Sequence, residues 1–398
     1  MRSLLFLLSV FVVGAHCAAS ILNSQSSKAI PNSFIVVLKP KISDEALTSH
    51  LSWADGVLKS KSAARNSHFA FQGFKGYHLK APKAVAVLLA ESDEVDYIEA
   101  DQTFTIATTP ESRINSARNV QTSAPWGLAR ISHRNLGSSD YVYQPNSGTY
   151  IYILDTGVRT THQLFQGRAS FGFNAVGGSN DDSNGHGTHI AGIASSQTYG
   201  VVRFANIISV KVLGDDGSSA VSTIISGVNW AVKDMQTQGR ANKATALLAV
   251  GGSFSTAMNN AVASAASAGL FFAVPTGSDG TNGNTSPASE PTACTVGGTT
   301  IGDARMSSSN YGPGVDLWAP GASIPSLWYT SDTAVNTLSG SSMAAAHIAG
   351  LGAYFLALEG PRTPVALCAR LREVATPNVL SGIPAGTANL LAYNLSGL

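Results

Sequence analysis

Past residue 119, short apolar runs alternate with longer stretches whose apolar residues recur at helical spacing. "TYIYILDTG" (149–157), "NIISVKVLG" (206–214), "ATALLAVGG" (244–252) and "LFFAVPTG" (270–277) read as strands. "AVSTIISGVNWAVKDMQTQG" (220–239), "TAMNNAVASAASAG" (256–269), residues 342–358 and "TPVALCARLREVAT" (363–376) read as helices, the last opened by a Thr-Pro start signal. Such alternation implies an α/β unit with a mostly parallel sheet covered on both faces. Functional residues in these sheets gather at the carboxyl ends of strands. The chain is 44% hydrophobic and 12% charged, against roughly 25% charged for an ordinary soluble domain, which suits one large core. A net charge of +1 gives no electrostatic case for nucleic acid or an anionic membrane.

Upstream the pattern differs. "SFIVVLKP" (33–40) reads as a strand, 43–60 as a helix, "FKGYHLKAP" (74–82) as a strand, "PKAVAVLLAES" (82–92) as a helix and "VDYIEADQTFTI" (95–106) as a strand. This β-α-β-α-β order predicts a small α+β domain over 33–106, its helices packed on one sheet. Residues 107–118 are polar, contain proline and carry two arginines, and read as an exposed linker open to proteolysis. The chain begins "MRSLLFLLSVFVVGAHCAAS": one arginine, an apolar run from Leu4 to Val13, then small residues. This predicts a secretory signal peptide over 1–18 and an extracellular protein. The run is shorter than the ~20 residues of a bilayer span, and no later segment reads as an uninterrupted span. Of the three cysteines, Cys17 falls in or beside the signal. Cys294 and Cys368 then suggest one disulfide, two separate buried thiols being the alternative. Asn284-Thr285-Ser286 and Asn394-Leu395-Ser396 are glycosylation sequons.

Three strings bring chemistry to strand ends and helix starts. Asp155 closes a buried strand in "ILDTG", where a carboxylate is expensive without a partner. His186 lies between glycines in "NGHGTHIAG", which let the backbone turn tightly into a helix. Ser342, in "GSSMA", stands at a helix start, where free N–H groups favour developing negative charge. Each alone has a plain explanation: a turn carboxylate, a metal-binding pair with His189 three residues on, a helix cap. Together, in the order Asp, His, Ser, they make the constellation of a serine hydrolase.

With "QTSAPWGLARIS" (121–132), "TSPASEP" (285–291), "CTVGG" (294–298) and "SGSSMAAAHIAGL" (339–351), the chain resembles the subtilisin-like serine proteases, and among them the secreted fungal proteinase K group. The resemblance covers nearly everything after the signal. It implies a three-layer subtilisin-like fold over 119–398, preceded by a ferredoxin-like propeptide within 19–106 that serves as chaperone and inhibitor. It implies self-cleavage after Arg118 in the 107–118 processing region. Ser342 would be the nucleophile of peptide hydrolysis, His186 the general base and then acid, and Asp155 the group that orients the imidazole. Gly217, Ser218, Ser219 on one side and Ala249, Val250, Gly251 on the other would pair with a peptide or protein substrate in extended conformation. Cys294 and Cys368 match one of the group's disulfides. Pro291, Ala293 and Asp316 match a structural calcium site, an oxygen-only set suited to a hard cation; no catalytic cofactor is implied. A second calcium aspartate is replaced by Val379. Members of the group are usually monomers.

The chain departs from the group at four places. Ser278 stands where the oxyanion-hole asparagine belongs. Its hydroxyl is shorter than an asparagine amide and turns more freely, and losing one such donor costs ~10²–10³ in turnover. Ala249-Val250-Gly251-Gly252 replaces Ser-Leu-Gly-Gly on the pocket wall. Ser341 replaces threonine. Ala346 replaces a proline, restoring a helix donor and letting the nucleophile's turn relax. These changes predict a secreted endopeptidase zymogen of weakened activity. A repurposed ligase or cyclase and a silent pseudoprotease are the alternatives.

Overall fold

The computed structural model describes residues 19–61, 63–107, 123–144 and 147–397. The expected signal peptide and the expected cut after Arg118 lie outside the described residues. The first unit runs β1 (Ile21–Leu22), β2 (Ala29–Leu38), α1 (Asp44–Ser60), β3 (Ala64–Phe71), β4 (Phe74–Lys80), α2 (Lys83–Leu89) and β5 (Val95–Ile106). Its antiparallel sheet has the order β5-β2-β4-β3. The expected β-α-β-α-β order is therefore corrected to β-α-β-β-α-β. Strand β3, "ARNSHFAF", is polar over its first half and buries only Phe69 and Phe71. It becomes a strand by pairing with β4 across Gln72 and Gly73, both at positive φ (38° and 84°), a turn whose twist suits a tight hairpin. Helix α1 starts as its sequence dictates: Ser43 caps the Ala46 N–H at 3.1 Å, with Asp44 and Glu45 in the first turn.

The second unit contains α3 (Trp126–Ser132), β6 (Ser147–Asp155), β7 (Ala169–Asn174), α4 (His186–Ala194), β8 (Phe204–Lys211), β9 (Ser218–Ala220), α5 (Val221–Thr237), β10 (Ala244–Leu248), β11 (Val250–Ser253), α6 (Thr256–Ser267) and β12 (Phe271–Pro275). It continues with β13 (Thr285–Ser286), β14 (Cys294–Thr299), β15 (Leu317–Pro320), β16 (Ile324–Leu327), β17 (Val335–Leu338), α7 (Ser341–Glu359), α8 (Pro364–Val374), β18 (Thr376–Pro377) and β19 (Leu390–Leu391). Its main sheet has the order β18-β19-β15-β14-β12-β10-β6-β8-β7, parallel except for the β18–β19 pair.

Residue alternation along the central strands builds the layers. On β6, Ile151 and Ile153 face a core shared with α4 and α7. Tyr152 and Leu154 face the opposite core, shared with α5 and α6. The first unit repeats the device: Phe34, Val36 and Leu38 of β2 pack on α1 and α2. Ile35 and Val37, with Phe69, Phe71 and Tyr97, join the α5–α6 core of the second unit. The two units thus share a core. Helix α7 is, by length and composition alone, long and apolar enough to cross a membrane, contrary to the sequence reading; 89% of its apolar 18-residue window is buried inside the fold.

Candidate active site

Asp155 ends β6 and is fully buried. Its Oδ1 accepts from His186 Nδ1 at 2.8 Å and from the Thr156 N–H at 2.8 Å. The approach of His186 depends on glycine. Gly185, at φ 105°, lies under the Trp328 ring, and a Cβ at Gly187 would sit 2.0 Å from the Gly157 carbonyl oxygen. The start of α4 therefore lies backbone to backbone against the turn that follows β6. Asp155 Oδ2 and His186 Nε2 are buried without a hydrogen-bond partner among the described residues. A second carboxylate, missed in the sequence reading, ties the same two segments: Asp182 accepts from Thr156 Oγ1 (2.9 Å) and from the Gly185 N–H (2.8 Å). Its signal was available, since an aspartate three residues ahead of a glycine-rich helix start is a capping pattern.

Ser342 is the second residue of α7 and is fully buried. Its Oγ lies 3.2 Å from the carbonyl oxygen of Ala107 and 3.3 Å from that of Ala249. Ser278 Oγ approaches the same Ala107 oxygen at 3.1 Å. The Ser278 hydroxyl thus meets this carbonyl directly. Ser341 Oγ donates to the Gly277 carbonyl at 3.0 Å and lies 3.4 Å from Ser278 Oγ. Ala346 is fully buried within α7.

Ala107 arrives there on β5, which runs antiparallel between β9 and β11. Thr105 pairs with Ser218 and Phe104 with Ser219 on one side; Ile106 pairs with Val250 and Thr105 with Gly251 on the other. The Ile106 N–H donates to the Gly217 carbonyl at 3.2 Å. Gly217, Ser218, Ser219, Ala249, Val250 and Gly251 thus border one extended segment. Phe104 is fully buried, and a side chain at Gly252 would strike its ring at 2.3 Å.

The remaining candidates separate. His189 cannot pair with His186 on a metal: its buried Nε2 donates to the carbonyls of Ile324 (3.0 Å) and Asn336 (3.2 Å), and burial pushes its pKa down to about 3. Cys294 and Cys368 form a disulfide, which rules out separate thiols. Asp316 lies against them, so the Cys294, Asp316 and Cys368 cluster has no thiolate to offer a metal. Asp316 Oδ2 accepts the Thr295 N–H at 2.9 Å, and Oδ1 faces Arg372 Nη1 at 3.5 Å. Burial raises the Asp316 pKa against both. Asn284 is exposed. Asn394 is fully buried, its Nδ2 donating to the Val142 carbonyl at 2.7 Å; the folded chain does not present this sequon, a correction to the sequence reading.

Residues 146–385 match the subtilase family of peptidases. The chain belongs to the subtilase family. This subtilase also matches the peptidase inhibitor I9 family over residues 33–107, so its first unit is the propeptide inhibitor domain. It is similar to a cuticle-degrading protease of Metarhizium anisopliae, 43% identical over 379 residues that cover 94% of this chain and 93% of the relative. It is also similar to alkaline protease 1 of Aspergillus clavatus, 39% identical over 98% of both chains. Among solved structures, a cold adapted subtilisin-like serine proteinase superposes with a TM-score of 0.65 at 40% identity, covering 69% of this chain and 99% of that one. The subtilase is a serine endopeptidase.

Proposed function

We propose that this subtilase is an extracellular endopeptidase zymogen that acts through Asp155, His186 and Ser342, with Ser278 as the side-chain oxyanion donor. One observation carries the reading. The Ala107 carbonyl oxygen lies 3.2 Å from Ser342 Oγ and 3.1 Å from Ser278 Oγ, at the end of a strand paired on both edges. That is how a scissile carbonyl meets a nucleophile and an oxyanion donor. Ser342 Oγ attacks the Ala107 carbonyl carbon and His186 Nε2, with no partner in this state, takes the hydroxyl proton. Asp155 holds Nδ1–H and stabilises the imidazolium. His186 returns the proton to the leaving amine, and water then releases the acyl group.

The first bond offered to Ser342 is therefore Ala107–Thr108, eleven residues ahead of the boundary at Arg118 expected from sequence. After the cut, β5 still fills the groove, which supports intramolecular inhibition by the propeptide. The direct reach of Ser278 supports hydrolysis over the ligase and silent-protein alternatives.

Calcium would be structural. The donor chemistry fits: Asp316 is a largely buried carboxylate with a raised pKa, and Pro291 and Ala293 supply carbonyls just ahead of β14. A cation there would displace Arg372, which is half exposed and distant for an ion pair. The deciding experiment is expression of the precursor with N-terminal sequencing. Wild type should release a chain beginning at Thr108, and Ser342→Ala should stay intact. A first product beginning at Asn119, or cutting by Ser342→Ala, would overturn the reading.

A further inference from the structure

The carboxylate of Asp182 holds the two halves of the triad together from behind. It is 5% exposed and lies in the loop that leads from β7 into α4. Oδ1 accepts from Thr156 Oγ1 (2.9 Å), the Asn184 N–H (3.1 Å) and the Gly185 N–H (2.8 Å). Oδ2 accepts from the Thr188 N–H (2.9 Å) and Thr188 Oγ1 (2.5 Å). Thr156 Oγ1 in turn accepts the Gly187 N–H at 3.0 Å. No lysine, arginine or histidine forms a salt bridge with Asp182 among the described residues, so its partners are neutral donors.

The positions of those donors matter more than their number. Thr156 follows Asp155 in the chain, and Gly185 and Gly187 flank His186. Every bond to Asp182 therefore anchors a residue within two positions of one triad member or the other. The Asp182 backbone also lies 3.1 Å from where a Cβ of Gly157 would stand, which leaves the turn no slack. Asp155 and His186 meet through a single 2.8 Å bond between Oδ1 and Nδ1, and its length is set by how firmly these segments are joined.

We propose that Asp182 is a positioning residue for this reaction: it sets the Asp155–His186 hydrogen bond. This rests on His186 acting as the base. A buried carboxylate surrounded only by donors cannot be replaced neutrally, because the asparagine amide would point hydrogens at the Thr188 donors.

The test measures kcat, KM and the pH profile of kcat/KM for active-site-titrated wild type, Asp182→Asn, Thr156→Val and Thr156→Ser, together with precursor self-cleavage. Asp182→Asn should lower kcat about 10- to 100-fold, the scale of outer-shell losses, with KM within about threefold. The acid limb of its profile should move to lower pH, since a loosened Asp155–His186 bond stabilises the imidazolium less. Thr156→Val should move both in the same direction by less, and Thr156→Ser should restore them. If Asp182→Asn does not fold, the Thr156 pair decides. Wild-type kcat and an unmoved acid limb, with only a lower melting temperature, would reduce Asp182 to a structural residue and overturn the proposal. His186→Ala separates the two readings: if it self-cleaves like wild type, the triad assignment fails first.

Discussion

Replacing Ser278 by alanine removes a hydroxyl and nothing else from the carbonyl of Ala107. That hydroxyl stands 3.1 Å from the carbonyl oxygen, somewhat longer than the ~2.8 Å mode for O–H···O bonds. It has one other neighbour, Ser341 Oγ at 3.4 Å. Ser341 gives its own proton to the Gly277 carbonyl, so towards Ser278 it can only accept. The Ser278 proton then chooses between two acceptors, and the oxyanion wins as negative charge develops on it. Loss of a fixed oxyanion donor costs ~2.7–4 kcal/mol. A rotor with three wells forfeits about 0.7 kcal/mol of that advantage. The expected loss is about 2–3 kcal/mol, or roughly 30- to 150-fold in kcat, with KM within about threefold because the ground-state carbonyl binds weakly. The assay is cleavage of a chromogenic anilide of Phe-Thr-Ile-Ala, the chain's own residues 104–107, by active-site-titrated enzyme. A kcat loss under threefold, or a loss confined to KM, would refute Ser278 as the donor. Ser278→Asn should stay within about tenfold of wild type, since the donor it would supply is already in place.

Phe104→Ala in a separately added propeptide should weaken inhibition about 100-fold, because truncating a buried phenylalanine costs ~3–5 kcal/mol, here against Gly252; a progress-curve inhibition constant checks this. Stability should fall in acid. Burial holds His189 down at about 3 and His347 at about 4, below the unfolded value near 6.5, so their neutral forms support the fold above that pH. This support is lost as pH falls, at roughly 2 kcal/mol for each histidine between pH 6.5 and 5. Denaturant midpoints of Ser342→Ala at pH 7 and 5 measure the loss, and His347→Gln should shrink it. Chelation of calcium should lower the melting temperature by roughly 5–10 °C, and Asp316→Asn should abolish the difference.

The candidate site was legible where local sequence does the structural work. Asp155, His186 and Ser342 each sit in strings whose small residues have no role except to let backbone segments touch, as Gly187 does against Gly157. The central strands were legible because both faces are buried. Strand β3 was not, because its first half is polar and its pairing comes from a neighbour. The reach of Ser278 was not, because it depends on where the Gly277 loop is tied to Ser341 across 64 residues. Nor could the register of Ala107 be read, since it is set by pairing with Ser218 and Val250, far along the chain. Asn394 obeys its sequon locally and is hidden by tertiary packing.

Strand β5 belongs to two sheets at once. Its first half lies in the propeptide sheet, pairing with β2 and β1, and its second half lies in the groove between β9 and β11. Cutting its end would therefore change covalent connectivity before it changes occupancy. The severed propeptide would leave only when both groove ladders open and Ile35, Val37, Phe69, Phe71 and Phe104 withdraw from the α5–α6 core. The interval between bond cleavage and the first foreign substrate then becomes an off-rate, adjustable by residues far from Ser342 and independent of how fast the chemistry runs.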